Sequence, residues 1–152
     1  MAQAGVVRTH PEPYKAVYAL ETAKEFIKNA EEDMLRNDYN SAYGNSLHAM
    51  RMASSAVMFL DGYIAQTLDS ATYYLKEKYV QLPADEWRQI ELDDPTKRGL
   101  ADRFAEALGR KKYDERQASA RAVAVAREFV ISVEKMVLMG SLAINEPYYR
   151  FE

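Results

Sequence analysis

The sequence predicts an all-α fold, an up-and-down antiparallel bundle of four to five helices in a single domain spanning residues 1–152. Three observations carry that reading. Apolar residues recur at the spacing of one helical face in every long segment. There is no convincing strand, since no stretch alternates with the period of two that a half-buried strand requires. Two long segments, about 39–61 and 115–140, are rich in alanine, which lets helix axes approach closely. A chain of 152 residues also hides enough surface to hold one core without staples.

Residues 1–13 contain Gly5, Pro11 and Pro13 and show no periodicity, so they read as an irregular N-terminal arm. A first helix starts near Tyr14. Val17, Leu20, Ala23, Ile27, Ala30 and Met34 form one face, and Lys24, Glu25, Lys28, Glu31, Glu32 and Asp33 lie mostly on the other. Arg36-Asn37-Asp38 closes it, and Asp38 or Asn40 is placed to accept from the unpaired N–H groups of the next helix. So short a link forces an antiparallel hairpin.

The second helix, DYNSAYGNSLHAMRMASSAVMFLDG over 38–62, offers two adjoining faces, Ala42, Ala49, Ala53, Ala56, Leu60 and Tyr43, Leu47, Met50, Val57. A sector that wide marks a central helix. Gly62 suits a C-terminal cap. After a loop, YIAQ, Thr67 is expected to cap a third helix carrying Leu68, Ala71, Leu75 and Tyr79, which ends before Leu82-Pro83.

Ala84 to Asp94 is acidic and reads as a loop with at most one helical turn, its Trp87 folded back on the bundle. Asp94-Pro95 has the form of a helix start, and Leu100, Phe104, Ala107 and Leu108 give a fourth helix its apolar face, stopped or bent by Gly109. The fifth, with Ala118, Ala122, Val125, Ala126, Phe129, Val130, Val133, Met136 and Val137, is expected to pack on the second. Residues 141–152 should leave the helix at Asn145 or Pro147 as an aromatic tail.

Composition narrows the chemistry. There is no cysteine, hence no disulfide, thiolate nucleophile or cysteine-based zinc site, which fits a reducing, cytoplasmic setting. The two histidines, His10 and His48, supply neither an HExxH nor an inward Glu-x-x-His pair, so no metal and no cofactor is expected. Phosphate-binding glycine loops and the GxSxG elbow are missing too. No apolar run reaches about 18 residues and the N-terminus is unlike a signal peptide, so no membrane role is expected. A net charge of −3 gives no global field for nucleic acid, but Thr96 to Arg127 holds nine basic against four acidic residues.

Six residues are candidate ligand contacts. His48 lies midway along the second helix with Arg51 one turn on, and with Tyr43 they could build a general base or nucleotide contact. The plainer alternative is a half-buried histidine bonded to a neighbour beside an ion-pair or interface arginine. In the basic sector, Arg110, Tyr113 and Arg121 could meet a phosphate and stack on a base; otherwise these charges compensate helix dipoles and solvate a face. Most of the tyrosines, Tyr73, Tyr74 and Tyr79 among them, are expected at core edges or a subunit interface.

The order of these segments resembles a known family. DYNSAYGNSLHAMRMASSAVMFLDGY after an amphipathic helix resembles helices 1 and 2 of HEPN domains, TLDSATYYLKEKY their short third helix, and LGRKKYDERQASARAVAVAREFVISVEKMVL the closing alanine-rich helix of small prokaryotic members. The resemblance spans roughly residues 14 to 140. It implies a helical bundle, commonly a homodimer through the long helices, linked to nucleotide or RNA binding and often working beside a minimal nucleotidyltransferase in toxin–antitoxin pairs. Ribonuclease members carry Arg-x(4 to 6)-His near the last helix. Here His48 is the last histidine, and the Thr-His that relatives often have in the third helix is Thr67-Leu68.

The expectation is therefore a non-catalytic, dimeric binding or interaction module for a nucleotide, RNA or a nucleotidyltransferase partner. Two alternatives stand beside it: a nuclease or nucleotide-modifying enzyme using His48, Arg51, Tyr43 and an arginine of the last helix, and a purely structural oligomerisation protein.

Overall fold

The structure, a computed structural model, describes residues 5–97, 100–109 and 114–151. It is an all-α helical bundle: α1 (Pro13–Leu35), α2 (Tyr39–Asp61), α3 (Leu68–Lys78), α4 (Ala84–Leu92), α5 (Leu100–Ala107) and α6 (Glu115–Phe151), with a 3-10 turn at Pro95–Lys97. Two short strands, β1 (Val6–Arg8) and β2 (Tyr63–Ala65), pair antiparallel, Val7 opposite Ile64.

Alanine decides how the long helices meet. Ala42, Ala49, Ala53 and Ala56 of α2 and Ala122 and Ala126 of α6 are fully buried, leaving no bulk to hold the axes apart. Leu47, Met50, Val57, Phe129 and Val133 fill the space beside them at 2% exposure or less. Ion pairs Lys24–Glu134 and Arg127–Glu31, each 2.8 Å, show α6 running antiparallel to α1. Ser119 Oγ donates to the Tyr39 carbonyl at 2.7 Å, so α2 and α6 start side by side and run parallel. The chain between them returns over one flank, where Trp87 of α4 sets its ring edge-on to Phe129 at 5.6 Å.

Local chemistry fixes the turns. Asp33, buried at the end of α1, accepts from Arg36 at 2.7 Å and from Asn45 of α2 at 2.6 Å, which clamps the hairpin around Asn37 at φ 58°. Asp38 caps α2 through the Ser41 N–H, and Thr67 with Ser70 forms a reciprocal capping box on α3. Gly62 ends α2 at φ 81°, where a Cβ would lie 2.9 Å from the Pro11 nitrogen. Only glycine lets the arm cross there, and Thr9 N–H then bonds the Gly62 carbonyl at 2.7 Å.

Several expectations need correction. The arm 1–13 is not irregular throughout, and YIAQ is not merely a loop: Val6-Val7-Arg8 and Tyr63-Ile64-Ala65 pair as strands too short to show alternation. Ala84 to Asp94 is mostly the helix α4, its acids Asp85 and Glu86 suiting the positive end of the dipole. Asp94-Pro95 opens a 3-10 turn rather than the fourth helix. The expected packing face of that helix is exposed, with Leu100 84%, Phe104 65% and Leu108 52% accessible, because periodicity reveals a face and not what covers it. The aromatic tail 141–152 does not leave the helix at Asn145 or Pro147, since α6 continues to Phe151. Proline's fixed φ is compatible with a helix, so it costs a hydrogen bond and can kink the helix without ending it.

Two glycine replacements test this backbone reading. Gly62→Ala should lower unfolding stability by about 1–3 kcal/mol in a denaturant titration. Gly44→Ala, whose Cβ would meet nothing within 4 Å, should raise it by about 0.5–1 kcal/mol.

Candidate functional site

The cleft with the best claim to a ligand, about 430 Å³, opens between α2, β2, α3 and α4. Met58, Ala71, Leu68 and Trp87 give it apolar walls, and Arg51, Ser54, Ser55 and Thr67 supply the polar groups. Its size suits a small organic molecule.

Arg51 is already engaged. Its Nε and Nη2 donate to the two Glu91 carboxylate oxygens, both at 2.7 Å, in a bidentate fork. Glu91 is 3% exposed and also accepts from Trp87 Nε1 at 3.2 Å, with Lys97 Nζ 3.9 Å away. Hydrogen bonding to Glu91 raises the Arg51 pKa, so the guanidinium stays charged. The pair ties α4 to α2 and leaves the cleft close to neutral. Glu91 was missed in the sequence because an acid in an acidic stretch gives no hint of burial.

The other candidates do not converge with Arg51. Tyr43 is buried and donates to the Ile90 carbonyl at 2.6 Å, a second α2–α4 tie. His48 is exposed and stacks on Phe26 of α1, ring centroids 5.1 Å apart. That corrects the half-buried, hydrogen-bonded histidine: the ring covers an aromatic neighbour and has no hydrogen-bond partner among the described residues. Arg121 is exposed on α6. Arg110 and Tyr113 lie outside the described residues. Among the described residues no three His, Asp or Glu side chains gather as a metal site.

A second polar cluster sits where α2 ends. Asp61 accepts from Tyr74 Oη at 2.8 Å and from Tyr79 Oη at 2.6 Å. Lys78 Nζ lies 3.4 Å from the same carboxylate and donates to Tyr74 Oη at 3.1 Å. Burial, then hydrogen bonding to Asp61, pushes both phenols well above the usual tyrosine range. The spacing Tyr74, Lys78, Tyr79 was visible in the sequence, but its closure on Asp61 depends on Gly62 turning the chain back. No protein-family model matches this chain, and comparison with curated proteins and with solved structures found no match.

Two measurements follow from these contacts. Arg51→Met strands a buried carboxylate and should cost about 3 kcal/mol, whereas Arg51→Met with Glu91→Met should recover most of that loss; equal losses in single and double variants would contradict the pairing. The raised phenols contribute stability that is present below the unfolded tyrosine value of about 10 and is lost as pH rises through the higher folded values. Phenolate absorbance should therefore show two of the eleven tyrosines ionising late, together with loss of helix. Tyr74→Phe and Tyr79→Phe should flatten that alkaline loss.

Proposed function

We propose that the protein is a non-catalytic, HEPN-like helical binding module that works as a homodimer, with the α1–α6 face as its subunit contact. The observation that carries this reading is how α2 uses its polar side chains. Tyr43 and Arg51 anchor α4 while His48 lies on Phe26, so these candidates serve packing on different neighbours. An enzyme needs such groups aimed at one reacting centre.

The face itself supports association. A groove of about 450 Å³ between α1 and α6 is lined by the apolar Ile27, Leu35, Val130 and Ile131 and by the charged Lys24, Lys28, Glu31, Glu32, Arg127 and Glu134. Leu35 is 86% and Ile131 46% exposed. Leu138, seven residues from Ile131 on the same side of α6, extends the apolar line. Lys24 and Arg127 pair with Glu134 and Glu31 within the chain, which leaves Lys28 and Glu32, of opposite sign, to meet their counterparts in an isologous contact. Nucleotide, RNA or a nucleotidyltransferase partner remain the ligands of this reading, supported by Arg116 and Arg121 exposed near the start of α6.

Sedimentation should find the wild type dimeric and Ile131→Glu dissociated, with Kd weakened at least about tenfold and helical content unchanged. A monomeric wild type would remove the dimer. Labelled RNA should survive incubation with the wild type; cleavage that disappears in His48→Ala would establish an enzyme instead.

A further inference from the structure

Among the described residues the buried serine and threonine hydroxyls find partners within the chain, with one exception. Ser46 donates to the Ala42 carbonyl at 2.8 Å, Thr72 to the Leu68 carbonyl at 2.9 Å, Ser119 to the Tyr39 carbonyl at 2.7 Å and Ser70 to the Thr67 carbonyl at 2.9 Å. Ser54, 4% exposed on α2, has no hydrogen-bond partner among the described residues. Ser46 and Thr72 use the carbonyl one helical turn back, and Ser54 does not. A buried hydroxyl left alone is costly, which points to a partner from outside the chain. Ser54 is one of the residues that line the cleft of about 430 Å³.

The rest of the lining narrows what that partner is. Met58, Leu68, Ala71 and Trp87 are apolar walls. Trp87 Nε1 is held by Glu91 at 3.2 Å and the Thr67 hydroxyl by Ser70 at 3.0 Å, so neither calls for a ligand. Arg51 is the charged residue among those lining the cleft, and the Glu91 fork neutralises it. A phosphate or carboxylate would have to compete with that fork, whereas a neutral molecule leaves it intact. A thioether and an indole beside the space favour an aromatic ring.

We propose that this cleft binds an uncharged aromatic molecule carrying one hydroxyl or carbonyl oxygen, with Ser54 as its hydrogen-bond partner. A serine hydroxyl donates to a carbonyl or accepts from a hydroxyl, and the apolar walls take up the ring. The site is apart from the α1–α6 face, so it stands or falls independently of the dimer.

NMR titration of the full chain with p-cresol, toluene and 4-methylbenzoate tests this, read at the indole N–H of Trp87, the only tryptophan. The cresol should saturate with a Kd on the order of 1 mM and shift that resonance. Toluene should bind about three- to tenfold more weakly, and the benzoate more weakly still. Ser54→Ala should reduce the cresol to toluene's affinity, and it should fold at least as stably as the wild type because no bond is lost. Ser55→Phe, which fills the cleft from a partly exposed position of α2, should remove binding of all three. No saturable shift with the cresol, an unchanged Kd in Ser54→Ala, binding that survives Ser55→Phe, or tightest binding of the benzoate would overturn the proposal.

Discussion

The burial of alanine along α2 and α6 is the constraint on which the other features depend. Ala42, Ala49, Ala53 and Ala56 on α2, with Ala122 and Ala126 on α6, are all fully buried, so the residues around them must fit as a close-packed solid. Once that seam is set, α1 lies antiparallel against both helices and its ion pairs to α6 are consequences of alignment. Those pairs are largely exposed and add little by themselves.

The seam also governs what α2 does with its polar side chains. A helix enclosed on most sides has few directions for them, and each is taken by a neighbour: Asn45 toward Asp33, Tyr43 and Arg51 toward α4, His48 over Phe26. Glu91 is the sharpest case. A carboxylate at 3% exposure is tolerable only with the Arg51 fork and the Trp87 N–H in place. Two of the residues that looked like chemistry in the sequence, Tyr43 and Arg51, thus fasten α4 across the core, and the candidate cleft opens at the edge, beside β2.

Legibility followed the range of the signal. The hairpin of the first two helices, the Asp38 and Thr67 caps, the Gly62 stop and the burial of Trp87 could all be read, because each rests on contacts within a few residues or on a strong apolar period. The β1–β2 pair could not be, since three residues per strand are too few to alternate and their pairing joins segments far apart in the chain. Neither could the exposure of Leu100 and Phe104, because an amphipathic helix looks the same whether its face is covered or bare. For the site, residue type pointed to Arg51 but not to its partner, and tyrosine density was visible without the turn that gathers Tyr74 and Tyr79 on Asp61.

The most direct test of this account is native-state hydrogen exchange along the chain. If the alanine seam carries the fold, amides of Ser46 to Val57 in α2 and Ala122 to Val133 in α6 should be the slowest, opening only with global unfolding, while those of α4 and α5 exchange through smaller openings. Exchange in the middle of α2 as fast as in α4 would contradict it, and the stability would then have to come from elsewhere in the chain.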